Sequence, residues 1–378
     1  MNGFDIRNIK NILGIDPFYL KCAFGLIVSF FLTLISIPKI IRVSYRKRLM
    51  AVPGKRSSHL KKTPNLGGIA IFYGITVAAS IAAYELFSMY IFLFAAIIIL
   101  FFIGLMDDIL VVAPDKKFYA QVIGTAMIAV GSNVRIDNFF GILGIEAVPY
   151  WFSLIFTIFV FVFLINAFNL IDGIDGLASG IAIVASLAFM FTFWRLGETN
   201  YPMIVFALTI IGSLLAFLQF NFAKQHKIFM GDTGSMIIGF LLSFMAVKFL
   251  NLFSLEYTYD HPTYYLPAAP AVIVAILIIP IIDTLCVSVI RIYRGHSPFR
   301  ADKNHLHHRY LNLGLTHMQV SAILTIENGI VILVAYFFRH IDVHFLLLIV
   351  LSLGLIISFL PLLFNRRRQM QKNKITEN

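Results

Sequence analysis

The stretch YWFSLIFTIFVFVFLINAFNLIDGIDG, Tyr150 to Gly176, decides how the rest of the chain is read. As far as Phe168 it is almost wholly apolar. A helix crosses a bilayer with about 20 such residues. Two aspartates then stand among glycines, and a second apolar run starts at Leu177. In lipid only helices or closed barrels satisfy their own backbone groups. Barrel strands alternate apolar and polar residues, and this run does not. A membrane helix ending on a pair of acids is therefore predicted, and the acids need a reason to be there.

The whole chain supports that reading. It is 59% hydrophobic and 13% charged, with a mean hydropathy of +0.87, whereas soluble domains carry about 25% charged residues. An all-α polytopic membrane protein follows, with about eleven spans of bilayer-crossing length. They are predicted at 20–43, 67–87, 90–106, 118–133, 150–168, 177–196, 201–220, 235–254, 268–290, 319–337 and 344–364. The first lacks a small-residue cleavage site and follows polar sequence, so it reads as a retained span, not a signal peptide. Cys22 and Cys286 both fall in apolar windows, which argues against a disulfide framework or a sulfur-based metal site. No repeat or low-complexity linker is visible. One polytopic domain is expected over 1–378, with a membrane core at 20–364 and a basic cytoplasmic tail at 365–378.

Lys and Arg set the orientation. The stretch 39–62 carries Lys39, Arg42, Arg46, Lys47, Arg48, Lys55, Arg56, Lys61 and Lys62 with no acid among them. If that side is cytoplasmic, the same side also collects Lys116, Lys117, Lys224, Lys227, the basic residues from Arg291 to Arg309, and the tail. The N-terminus is then outside and the C-terminus inside. The net charge of +11 is accounted for by this bias and by headgroup contacts of Arg366, Arg367 and Arg368. Nucleic-acid binding is not expected, because the basic residues sit in short loops against a membrane. The run VRIDNFFGILGIEAVP (134–149) falls outside and reads as a short hairpin or turn.

Threaded this way, six polar clusters share the cytoplasmic face: KRSSHLKKTPNLGG (55–68), MDDILVVAPDKK (106–117), NAFNLIDGIDG (166–176), NFAKQHKIFMGDTGS (221–235), Asp283, and RGHSPFRADKNHLHHR (294–309). Acids at the ends of apolar spans are costly unless paired or metal-bound. Asp107 and Asp108 are adjacent, so on a helix they point about 100° apart and only one aims into a site. Asp172 and Asp175 are three apart and would share a helix face. GDTGS opens a helix whose N–H groups favour an anion, while Asp232 offers oxygen to a hard cation such as magnesium. The HLHH histidines lie among Arg300, Lys303 and Arg309. That setting suits phosphate or sugar contact, with metal ligation and a structural loop role as the other readings. Acids, basic loops and a membrane together suggest phosphoryl-type transfer between a cytosolic substrate and a lipid.

The motifs TPNLGG, DD, NAFNLIDGIDGLASG, IFMGDTGS and HLHHR, in this order, resemble the polyprenyl-phosphate N-acetylhexosamine-1-phosphate transferases. That family includes the WecA and TagO types and is related to the MraY-type phospho-MurNAc-pentapeptide translocase. The resemblance runs from position 55 to 308. It implies attack by a lipid phosphate oxygen on the β-phosphorus of a UDP-sugar, giving lipid-diphosphate-sugar and UMP. It further implies magnesium, with manganese as the alternative, in a bacterial cytoplasmic (inner) membrane, and it leaves open whether the protein is a homodimer. By the same resemblance Asp107 matches the aspartate proposed as base, with Asp108 beside it. Asp232 matches the magnesium ligand, and Asn169 lies where eukaryotic relatives supply a second one. Asp175 matches a uracil contact, Asp172 lies next to the diphosphate, and Phe229 corresponds to the ring stacked on uracil. Asn221 corresponds to another nucleotide contact. Lys117, Arg300, Lys303, His305, His307 and His308 would hold phosphates.

Physical chemistry qualifies the base. A phosphate monoester has a second pKa of about 6, so the lipid phosphate is largely ionised at neutral pH. Asp107 then has the alternative of orienting a cation or aligning the nucleophile. A two-step route through an aspartyl-phosphate is a further alternative. Leu306 between His305 and His307 departs from the three consecutive histidines of the translocase branch. It points to the branch whose usual donor is UDP-GlcNAc, other UDP-N-acetylhexosamines remaining open. Two rivals from other classes are a polytopic transporter and a CDP-alcohol phosphotransferase. The first would place its acids near the midplane, often with repeats; the second lacks its Ala-Arg pair here.

Overall fold

The computed structural model describes residues 16–50, 63–254, 266–295, 297 and 305–376, with side chains as far as 364. The run KRSSHLKK (55–62), Arg300, Lys303 and the side chains of Arg366, Arg367 and Arg368 lie outside the described residues.

The chain is helical almost throughout. In order it forms α1 (Pro17–Lys47), α2 (Gly67–Ala82), α3 (Tyr84–Met89), α4 (Ile91–Leu110), α5 (Pro114–Ala126), a hairpin of β1 (Asn138–Ile142) and β2 (Ile145–Ala147), α6 (Tyr150–Ile171), α7 (Leu177–Arg195) and α8 (Tyr201–Asn221). Then follow α9 (Gly231–Phe253), α10 (Ala269–Ile276), α11 (Ile278–Tyr293), α12 (Leu306–Leu311), α13 (His317–Phe337) and α14 (Val343–Thr376). Among the described residues eight helices are long and apolar enough to cross a membrane, or nine if α10 and α11 count as one broken span. Two of the predicted spans fall short of that measure. α2 is apolar but only 16 residues long. The span expected at 118–133 lies within α5, which opens on Pro-Asp-Lys-Lys, and ends in a π-helical turn at Met127–Gly131. The hairpin expected outside the membrane is present as the antiparallel pair β1–β2.

The residues fall into two compact units, each interleaved along the chain. The first contains the described parts of Met1–Met50, Pro64–Asn133 and Ser186–Ile237. Its scaffold is α1, α2 and α8. Small residues let these helices approach closely, the usual device where lipid removes the hydrophobic drive between helices. A side chain at Gly74 would meet Thr33 and Ser29, and one at Gly212 would meet Leu26 and Ser29. Thr33 and Ser213 hydroxyls bond across the gap at 2.8 Å. α1 starts where Asp16 accepts from the Phe18 amide at 2.9 Å and Pro17 occupies the first helical position, both ordinary helix-start chemistry.

The second unit contains the described parts of Ala51–Thr63, Val134–Ala185 and Ile238–Asn378. Its distinguishing element is the break at Leu277, where α10 and α11 are bent by 79°. Pro280, three residues beyond the break, has no N–H with which to continue the helical ladder. A break within an apolar segment frees backbone groups that lipid cannot satisfy. Buried Asn328 of α13 satisfies both sides. Its amide donates to the Ile276 carbonyl at 3.1 Å, and its carbonyl accepts from the Ile279 N–H at 3.4 Å.

Candidate active site

In the first unit three motifs converge on the start of α9. Residues 64–68 pair with 229–230 through Phe229 N–H to Pro64 O (2.8 Å), Gly67 N–H to Phe229 O (3.0 Å) and Gly68 N–H to Met230 O (2.8 Å). Gly231 follows with φ +72°, a conformation glycine adopts without strain. A side chain there would also strike Asn65 and the Asp108 carboxylate. Gly104 of α4 lies equally close to the Thr233 backbone, where a Cβ would come within 2.6 Å of its Cα. The glycines of TPNLGG and GDTGS thus serve backbone contact between segments.

This packing separates the two neighbouring aspartates. Asp108 accepts from the N–H of Asp232 (2.8 Å), the N–H of Thr233 (3.0 Å), the Thr233 hydroxyl (2.5 Å) and the Asn65 amide (3.2 Å). The anion at the N-terminus of α9 is therefore the protein's own carboxylate, placed where the N–H groups and the helix dipole favour negative charge. Asp107 turns the other way. It sits 2.6 Å from the Lys117 ammonium of α5 and accepts from Val112 N–H at 2.7 Å. Lys117 also pairs with Asp232. Burial alone would favour the neutral amine at Lys117, but the Asp232 and Asp107 carboxylates outweigh it and raise its pKa above the usual lysine value. The result is two carboxylates sharing one ammonium, all three partly accessible. The two side chains diverge, as expected of neighbours on a helix.

Two other expected residues lie in the same unit. Asn221, buried at the end of α8, donates to the Ile228 carbonyl at 2.9 Å and so closes the loop ahead of GDTGS. Phe229 is half-buried, with the Lys227 ammonium 5.4 Å from its ring centroid.

In the second unit α6 ends at Ile171, and Asp172 and Asp175 stand in the turn before α7. The shared helix face expected from their spacing is not formed: α6 ends at Ile171 with Asp172 at its cap, and Asp175 follows in the turn. Asp175 is held by α13. Its carboxylate lies 3.1 Å from His317 Nδ1, and its carbonyl accepts from the Ser321 hydroxyl. Asn169 is half-buried in the last turn of α6. His305 and His307 are buried, and His308 is half-buried. The His307 ring rests on Gly173, where a Cβ would stand 2.6 Å from its Nε2. Burial pushes the His307 pKa down to about 3, so this ring is neutral. Arg309 donates to the Ser358 carbonyl and hydroxyl and does not present an exposed charge. Arg300 and Lys303 lie outside the described residues.

Asn65, Thr233, Arg291, His317 and Ser321 were given no role in the sequence. Asn65 and Thr233 stand inside recognised motifs. His317 and Ser321 lie in the first two turns of α13, and no local pattern marks them.

Fold and site together define a polytopic membrane protein with a two-carboxylate, one-lysine centre suited to phosphate chemistry. Residues 90–250 match the model of glycosyl transferase family 4. The chain is 31% identical over 336 residues to the decaprenyl-phosphate N-acetylglucosaminephosphotransferase of Mycobacterium tuberculosis, covering 83% of this chain and 82% of that protein. It is 29% identical over 313 residues to a probable undecaprenyl-phosphate N-acetylglucosaminyl 1-phosphate transferase of Bacillus subtilis, covering 80% and 81%. Against the undecaprenyl-phosphate alpha-N-acetylglucosaminyl 1-phosphate transferase of Escherichia coli O157:H7 it is 29% identical over 294 residues, 76% of each. The chain belongs to glycosyl transferase family 4, and the resemblance carried by its five motifs is borne out.

Proposed function

We propose that this protein transfers GlcNAc-1-phosphate from UDP-GlcNAc to a polyprenyl phosphate. The lipid phosphate oxygen bonds to the β-phosphorus of the nucleotide sugar, the β-phosphorus to bridging-oxygen bond breaks, and UMP leaves with that electron pair. The activities for which the relatives are named supply the substrate class. The observation in this chain that carries the reading is the Asp107–Lys117–Asp232 group at the ends of apolar helices. Unpaired, such charges are costly near lipid; together they offset one another.

That group's carboxylates fit a divalent metal. Among the described residues no group of three or more His, Cys, Asp or Glu side chains is placed to hold one. Magnesium characteristically takes one or two carboxylates and completes its shell with phosphates and water. Asp232, with Asp107, would hold it, and the bound ion would offset charge on the diphosphate and leaving UMP. Lys117 would do the remaining work. Its ammonium neutralises both carboxylates; were they to hold magnesium, Lys117 would be free to bind phosphate. Asp108 does not act on substrate in this scheme; it fixes Asp232 by holding the first turn of α9. The ionised lipid phosphate leaves Asp107 the task of alignment instead of proton removal. The reading places the protein in a bacterial cytoplasmic membrane, N-terminus outside and C-terminus inside.

The test is UMP release by purified protein in detergent with undecaprenyl phosphate, UDP-GlcNAc and magnesium, beside Asp232→Asn. Metal-dependent UMP from the wild type, lost in the variant, is expected. Folded wild-type protein that releases no UMP from any UDP-N-acetylhexosamine would overturn the proposal.

A further inference from the structure

Asp283 of α11 is fully buried and takes no part in the scheme above. One of its oxygens accepts from the Leu306 N–H at 2.6 Å, and the other lies 2.9 Å from His305 Nδ1. On the far side of the same imidazole, Nε2 lies 3.4 Å from a guanidinium nitrogen of Arg291, also buried. The partners determine the proton's position. An ionised carboxylate only accepts and a guanidinium only donates. Nδ1 therefore carries the hydrogen and Nε2 presents its lone pair. Isolated buried charges are costly; here an acid and a base of opposite sign are joined through one neutral ring.

We propose that the Asp283–His305–Arg291 chain is a clamp that positions the HLHH segment, and that His305 is a positioning residue, not a phosphate contact. Asp283 ties α11 to the first N–H of α12. His305 lies nearly parallel to His307, ring centroids 5.8 Å apart at 10°, and His307 contacts His308 at 4.4 Å. Among the described residues His307 Nδ1 has no hydrogen-bond partner, while ring stacking and close packing over Gly173 orient that ring. The clamp sets the first ring, the first sets the second, and the only partly exposed imidazole of the three, His308, is left to meet substrate. This last step rests on the proposed transferase reading.

The test combines tautomer and kinetics on the full chain in detergent. With 15N-labelled histidine, the imidazole signal missing from His305→Asn should show the neutral Nδ1–H form. It should not move on adding UDP-GlcNAc, whereas the signal missing from His308→Asn should move. A doubly protonated or Nε2–H ring at position 305, or a ligand shift there equal to that of His308, would overturn the clamp. If His305→Asn does not fold, Asp283→Asn makes the same assignment, since its amide donates to Nδ1 and inverts the tautomer. In UMP release, Asp283→Asn should lower kcat by about tenfold or more with KM for UDP-GlcNAc within about threefold, and add less than about threefold to His305→Asn, the mark of residues acting as one unit. Independent, multiplying losses would refute it. Wild-type protein with no UMP release would instead remove the transferase reading and leave the tautomer result standing.

Discussion

At the scale of single residues, Asp107 and Asp108 differ in what surrounds them. One carboxylate is consumed by four donors at a helix start; its neighbour shares an ammonium with Asp232. Lys117→Met removes that cation without adding bulk. It should lower kcat by about 10²–10³, the usual cost of losing one electrostatic contact to developing charge, as read from UMP release; a change under threefold would remove Lys117 from the phosphate role. His307 makes a second residue-scale prediction. Burial depresses its pKa to about 3 in the folded chain, against about 6.5 unfolded. Above pH 6.5 the ring is neutral in both states. As pH falls below that, the unfolded chain binds the proton first, so stability drops by up to about 1.4 kcal/mol per pH unit. Of the neighbouring titratable groups, Asp283 opposes the depression, and His308, His305 and His317 add to it. The melting temperature of the wild type should therefore fall more steeply from pH 7 to pH 5 than that of His307→Asn; parallel curves would contradict it.

At the scale of elements, the informative feature is how helix ends and breaks are satisfied. The start of α9 is closed by a carboxylate from α4, and the break between α10 and α11 is closed by an amide from α13. Asn328→Leu keeps roughly the volume but strands Ile276 O and Ile279 N–H. Leaving such groups buried without partners costs about 1–3 kcal/mol each, so the variant should melt well below wild type, as followed by circular dichroism; an unchanged melting temperature would show that the broken backbone finds other partners. The six-residue α12 has too few turns to persist by itself. Its placement comes from Asp283 at one end and Arg309 on Ser358.

At the scale of the whole molecule, the charge distribution predicts the sidedness. A fluorescent protein fused after Asn378 should fluoresce in cells, and an exported phosphatase at the same point should stay inactive. The reverse pattern would invert the proposed topology and with it the cytoplasmic placement of Lys117 and Asp232. Eight long apolar helices among the described residues make the polytopic class secure, and the sequence count overshoots chiefly because α2 is only 16 residues long and α5 opens on charged residues.

The membrane class, the helical fold, most helix positions and the family were legible in the sequence by itself, because each depends on local quantities: the length of an apolar run, the absence of alternation, the order of short polar motifs. The acids of the candidate site were legible for the same reason, since charge at the end of an apolar run stands out. What each acid does was decided only by tertiary structure. Asp107 and Asp108 are neighbours in sequence, and their roles separate because α5 brings Lys117 to one and α9 brings its first turn to the other. The histidines carry the same lesson. Their basic surroundings suggested phosphate, but Asp283 and Arg291, both on α11, enclose His305 from two sides. Hydrogen-bond partners and burial are set by which segments pack together, and no local pattern encodes that.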